Sequence, residues 1–149
     1  MSTRVLFLIT TCLVAPGSLA HARSEKPNFL FVIADDCTYR DIGCYGGQAY
    51  TPNIDRLATE GILFTRCFQS APMCSPTRHN IYTGLYPVKS GAYPNHTFAK
   101  TGTRSVVHYL KPLGYRVSLS GKRHIAPQEV FPFEYLASVS QMNSFIFDI

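Results

Sequence analysis

The run Asn28-Phe29-Leu30-Phe31-Val32-Ile33-Ala34, apolar after its first residue and halted by Asp35-Asp36, most constrains the fold. A strand with one wet face alternates polar and apolar residues. A continuous β-branched and aromatic run of this length reads instead as a strand covered on both faces, as in a parallel sheet flanked by helices. The residues downstream keep that rhythm. Thr51 as N-cap and Pro52 at the first helical position open a helix with Ile54, Leu57 and Ala58 on one face, and Gly61 lies just past its end. Residues 62–68 read as a second strand. Ser75-Pro76 announces a second helix that faces Ile81 inward and closes at Gly84, and Tyr86 to Thr103 reads as a loop. Residues 105–113 form a helix with a Val106, Val107 and Leu110 stripe, ended near Pro112, and residues 115–120 form a third strand. Alternation of this kind predicts an α/β fold with a mostly parallel sheet. Three strands fall short of the roughly five or six of an average sheet, so the sheet is expected to be incomplete. No element is predicted over residues 138–149.

Ahead of the first strand, Arg4 precedes an apolar core from Val5 to Ala15, then Pro16-Gly17 and Ala20-His21-Ala22. The core is shorter than the roughly 20 residues that span a bilayer, and Ala-x-Ala is a cleavage signature. Residues 1–22 are therefore expected to be a signal peptide, with no stable membrane anchor, and residues 23–149 a single domain. Export implies a periplasmic or secreted protein in a bacterium, and a lysosomal or extracellular one in a eukaryote. The chain carries 14 Lys and Arg against 9 Asp and Glu without a basic run, which argues against nucleic acid as a partner. Beyond the signal stand Cys37, Cys44, Cys67 and Cys74, whose spacing selects no disulfide pairing and resembles no zinc site. Asn95-His96-Thr97 is a glycosylation triplet of a kind common by chance.

Three polar clusters sit where open α/β sheets gather ligands, at strand ends and helix starts. Asp35 and Asp36 repel each other unless a cation neutralises them, and a hard, oxygen-loving ion suits them. With Ser75 as cap and Pro76 as the first helical residue, Cys74 would lie against the positive end of the helix dipole. Arg78, near the third helical position, could fold its guanidinium back onto a tetrahedral anion there. Lys122 and His124, two apart after the third strand, would point to one side of an extended chain, able to bind an anion and to protonate a leaving group. His79, His96 and His108 have no such context and are expected to be structural or exposed.

These residues carry a resemblance to the sulfatases of the alkaline phosphatase-like superfamily. It rests on residues 27–36, Thr51-Pro52-Asn53-Ile54-Asp55-Arg56-Leu57-Ala58, Cys74-Ser75-Pro76-Thr77-Arg78 with Thr83-Gly84-Leu85-Tyr86-Pro87, and Gly114-Tyr115-Arg116 with Gly121-Lys122-Arg123-His124. Residues 121–127 and 130–133 look most like the heparan N-sulfatase (sulfamidase) branch. The resemblance implies hydrolysis of sulfate esters or N-sulfates of a sulfated small molecule or glycan. It further implies that Cys74 is oxidised to formylglycine by a sulfatase-maturing enzyme, that Asp35, Asp36 and residue 74 ligate Ca²⁺ in preference to Mg²⁺, and that Arg78, Lys122 and His124 act at the nucleophile and sulfate. Sulfatases are much longer and draw further metal ligands from later segments, so the chain looks like the N-terminal portion of such a catalytic domain. Two other readings compete: a catalytically inactive secreted fragment, and a metal-dependent phosphohydrolase, in which Ser or Thr would be expected at position 74.

Overall fold

The computed structural model describes residues 26–136, so the expected signal peptide and residues 137–149 lie outside the described residues. Two units divide between Ile33 and Ala34. In the first, described residues 26–33 form neither helix nor strand, and Leu30 and Val32 are 91% and 80% exposed. The expected strand, covered on both faces, is therefore not formed. Apolar composition makes a segment fit for a sheet interior, but a strand exists only where another backbone ladders with it, and no described segment does so here.

The second unit begins with two short 3₁₀ turns, Tyr39–Asp41 and Gly43–Tyr45. Helix α1 follows at Pro52–Glu60, with Thr51 and Gly61 as its caps, as the sequence predicts. The Thr51 hydroxyl does not cap in the usual way. It accepts from the Gly43 N–H at 2.9 Å and donates to Asp55 Oδ1 at 2.9 Å, stapling the turn to the helix. Residues 62–64 belong to no helix or strand and Thr65-Arg66 turn, so the expected second strand is not formed; Ile62, Phe64 and Phe68 are exposed.

Helix α2 spans Cys74–Thr83 and ends on Gly84, which takes φ 69°, a left-handed turn that favours glycine. A four-residue helix α3, Pro87–Ser90, lies within what the sequence reads as loop. Helix α4 covers Val106–Leu110 and tightens into a 3₁₀ turn, Lys111–Leu113, where Pro112 withholds its N–H. Of its expected stripe, Val107 is fully buried.

The third strand shrinks to β1, Ser118–Leu119, which pairs in parallel with a strand the sequence does not announce, β2, Glu134–Tyr135. Glu134 N–H bonds Val117 C=O at 3.0 Å and Leu136 N–H bonds Leu119 C=O at 3.1 Å. Among the described residues the architecture is thus four α-helices and a small parallel two-stranded sheet. Parallel strands require a crossover, and this one carries Gly121 to Phe133 past the flank of α2. There Val130 is buried, and Phe131 and Phe133 pack on His79 and Tyr82, with ring centroids 5.1 Å apart for both His79–Phe131 and Tyr82–Phe133. Each such apolar side chain removed from water stabilises the fold by about 1.5–3 kcal/mol. Ile81, expected to face inward, lies on the exposed side, and Tyr82 takes the core position.

Candidate active site

The N-terminus of α2 starts earlier than the Ser75-Pro76 signal suggests. Met73 is the N-cap, Cys74 the first helical residue and Pro76 the third, where its missing N–H is one of the first-turn donors that no helical carbonyl reaches. Arg78 is accordingly the fifth helical residue, one turn on from Cys74. Met73 offers no side-chain cap. The capping acceptor comes from 20 residues away: Asn95 Oδ1 receives the Ser75 N–H at 3.4 Å and stands 3.8 Å from Cys74 Sγ. The Ser75 hydroxyl reaches the same segment, donating to Thr97 C=O at 3.4 Å.

Arg78 is only 4% exposed, an ionised side chain sunk in the protein, and its fork is used from both prongs. Nη2 pairs with Asp35 Oδ1 at 3.2 Å and Nη1 donates to the Lys122 carbonyl at 3.0 Å. Lys122 Nζ in turn pairs with Asp35 Oδ2. One carboxylate therefore holds two cations together beside the first turn of α2. The hydrogen bond from Lys122, with help from Arg78, keeps the Asp35 carboxyl below its ordinary range, and the same bond raises the Lys122 ammonium, which the neighbouring Cys74 reinforces. Two positive charges against one negative leave the cluster suited to an anion.

Lys122 and His124 do not point together. His124 adopts φ 48°, which breaks the extended geometry, and its Nε2 meets Nδ1 of His96 at 3.0 Å while Lys122 turns to Asp35. Burial, and then the neighbouring His96, lower the His124 pKa from its ordinary value. His79 is structural, as expected. As the Nδ1–H tautomer it donates to Ser75 C=O at 2.8 Å and accepts the Ala126 N–H on Nε2 at 3.3 Å, tying α2 to the crossover that carries Lys122 and His124. His108 serves α4 locally, its Nδ1 accepting the Ser105 N–H at 3.2 Å.

Of the residues the sequence singles out, the fold brings Asp35, Arg78 and Lys122 into contact and sets Cys74 at the head of the helix that carries Arg78. Asp36, with φ 50°, makes no hydrogen bond or ion pair among the described residues. Asn95 and His96 belong to the site although the sequence does not point to them, since nothing in a Pro-flanked Asn-His pair signals what lies across from it. Carboxylate oxygens at Asp35 and Asp36 suit a hard divalent cation, but no three His, Cys, Asp or Glu side chains gather as a metal site among the described residues. The thiols of Cys37, Cys44, Cys67 and Cys74 are all free.

Comparison with known proteins bears on this arrangement. The family model for sulfatases matches residues 27–146. An ulvan-active sulfatase of Formosa agariphila is 45% identical over 114 residues, covering 76% of this chain and 23% of that protein. The steryl-sulfatase of Rattus norvegicus is 40% identical over 134 residues, covering 76% and 21%, and the human N-acetylgalactosamine-6-sulfatase 32% identical over 129 residues, covering 77% and 25%. The chain spans a quarter or less of the length of these relatives.

Proposed function

Because the chain belongs to the sulfatase family, we propose that the cluster around Cys74 is the sulfate-binding half of an enzyme that hydrolyses sulfate esters or N-sulfates. The observation that carries the proposal is the joining of Arg78 and Lys122 through Asp35 beside the first residue of α2. A tetrahedral oxyanion placed there meets the guanidinium fork, the ammonium and the positive end of the helix. Formylglycine formed from Cys74 would supply, as its hydrate, one oxygen to attack sulfur and a second hydroxyl to release sulfate. His124 is the proposed donor of a proton to the leaving oxygen or nitrogen, a role that the family resemblance supports. Asp35 and Asp36, with residue 74, are the proposed ligands of a divalent cation, Ca²⁺ before Mg²⁺, whose chemistry is to neutralise sulfate charge. Further oxygens are needed to reach the six to eight that Ca²⁺ prefers. The name of the ulvan-active relative supports a sulfated polysaccharide as the substrate class. The N-sulfatase likeness rests on residues 121–133 alone.

A chromogenic aryl sulfate, offered to protein made together with a sulfatase-maturing enzyme, tests the proposal. Turnover, and an aldehyde mass in the peptide spanning Met73 to Arg78, are expected. Turnover unchanged by Cys74→Ser would overturn the mechanism, because one hydroxyl can accept the sulfuryl group but has no second oxygen to expel it. A second reading, a non-catalytic chain that only binds sulfated glycans, is favoured by the fact that Asp35 is already neutralised by Lys122 and Arg78. It predicts heparin binding without turnover in the same preparation.

A further inference from the structure

Asn95, His96 and His124 form a chain of contacts that the roles above leave unused. Asn95 Oδ1 is committed to the Ser75 N–H, so its amide orientation is set by a backbone donor and its Nδ2 is left to face His96 Nε2 at 3.4 Å. A ring nitrogen that faces an N–H must be the acceptor. His96 in its neutral form therefore carries its proton on Nδ1, and that nitrogen lies 3.0 Å from His124 Nε2. His124 Nε2 then accepts, and its proton sits on Nδ1. This is the atom the fold buries with no hydrogen-bond partner among the described residues. The reverse assignment, with His124 Nε2–H donating to His96, would turn His96 Nε2–H against the Asn95 NH₂, donor against donor. Both histidines hold left-handed backbone, φ 63° at His96 and 48° at His124, a conformation that costs non-glycine residues energy and persists where surroundings impose it.

We propose that His96 is a positioning residue for His124: it fixes the tautomer of the ring and shares its proton, and Asn95 sets the direction of the pair while capping α2. Burial, and then the neighbouring His96, lower the His124 pKa. Lys122 and Arg78 press the same way and Asp35 opposes them. A proton gained by the pair enters at His96 Nε2, and the proton His96 already holds on Nδ1 can then pass to His124 Nε2. The use of this proton in catalysis rests on the sulfatase reading; the tautomers do not.

Ring ¹⁵N spectra of the whole chain test the tautomers, at about pH 8, where neutral histidine predominates. Pyrrole-like Nδ1 and pyridine-like Nε2 signals are expected for both His96 and His124. Asn95→Asp keeps an acceptor for Ser75 but replaces the donor facing His96 with a second acceptor, so both rings should invert and place their protons on Nε2. A pyrrole-like Nε2 on His124 in the parent overturns the proposal, and so do rings that stay unchanged in Asn95→Asp. His96→Phe, a change at an exposed loop residue, should leave His124 a mixture of tautomers and lower kcat on the aryl sulfate about tenfold with KM held, a fraction of what a positioned acid contributes. A parent without turnover would sink the sulfatase reading and leave the ring spectra to decide the pair.

Discussion

His79→Ala removes the side chain through which the two halves of the candidate site are held in register. The ring is fully buried, bonded at one nitrogen to Ser75 C=O at 2.8 Å and at the other to the Ala126 N–H at 3.3 Å, and it stands edge-on to Phe131. Truncation orphans the Ala126 N–H, at about 1–3 kcal/mol where water cannot reach it, while Ser75 C=O, inside α2, keeps its helical acceptor role. It also opens a cavity of aromatic size, for which losses of about 3–5 kcal/mol are usual. These terms overlap, because a cavity lined by a carbonyl and an N–H admits water that repairs part of the first. A net loss of about 4 kcal/mol is expected. With an m-value of about 2 kcal/mol per M in urea, the unfolding midpoint falls by roughly 2 M. The chain has no Trp, so far-ultraviolet circular dichroism is the suitable signal. His79→Asn, which keeps a donor near Nδ1, and His79→Gln, which keeps an acceptor near Nε2, should each recover part of the loss. Only the latter retains the tie to Ala126 and so the placing of Lys122 and His124. A midpoint within about 0.5 M of the parent in His79→Ala would refute the reasoning, since a ring so placed cannot be removed at that cost.

Asp35→Asn should destabilise the protein at neutral pH. The folded-state pKa of Asp35 is depressed by Lys122 and Arg78, so its contribution is present above the ordinary carboxylate range near 4 and fades as pH falls through the lower folded value; urea midpoints of parent and variant should converge toward pH 3. Gly47→Ala should destabilise more than Gly43→Ala. A Cβ at 47 would lie 2.4 Å from the Ile42 backbone nitrogen, whereas at 43 it meets the Asp55 carboxylate at 2.6 Å, a side chain that can swing aside; thermal melts of the two variants rank them, and the opposite order would count against the close approach of residues 40–47. Arg116→Ala should leave the melting temperature unchanged at moderate salt, because the Arg116–Glu134 pair lies at the surface; a clear drop would show that the pair secures the β1–β2 register.

Helices α1, α2 and α4 were legible, α3 being read as loop, because their ends are chemistry local to a few residues. Pro52 and Gly61 bracket α1, and Gly84 and Gly114 stop their elements by taking backbone that other residues resist. The strands were not, because a ladder is a contract with a distant segment. Residues 28–34 have the composition of a sheet interior but form no ladder among the described residues, while Glu134-Tyr135, too short and too mixed to signal a strand, becomes one because β1 lies beside it. Burial of α2 shows the same limit. Its inward face is Ser75, Thr77, Arg78, His79 and Tyr82, a polar stripe that no hydrophobic period reveals, stable because nearly every one of those groups finds a partner outside the helix.

That partnering also explains which half of the candidate site is legible in the chain alone. Cys74 and Arg78 share one helix, so their spacing alone places them a turn apart, and Asp35 and Lys122 are charged residues whose grouping with Arg78 is what unlike charges do. Asn95 is neutral and His96 weakly basic, and by type alone one reads as part of a glycosylation triplet and the other as a surface residue. Yet the helix that displays Cys74 has no side-chain cap of its own, since the Met73 side chain accepts no N–H of the first turn. An uncapped helix start that must also present a reactive side chain calls for an acceptor from elsewhere in the chain. Asn95 answers that need, and because the same amide turns its NH₂ to His96, the residue that secures the helix also sets the proton of the histidine pair across from it. Asn95→Ala should therefore do what a simple loop mutation does not: it should loosen the opening of α2, seen as faster amide exchange at Ser75, and scramble the tautomers of His96 and His124 at the same time. Either change without the other would separate the cap from the pair and break the link between them.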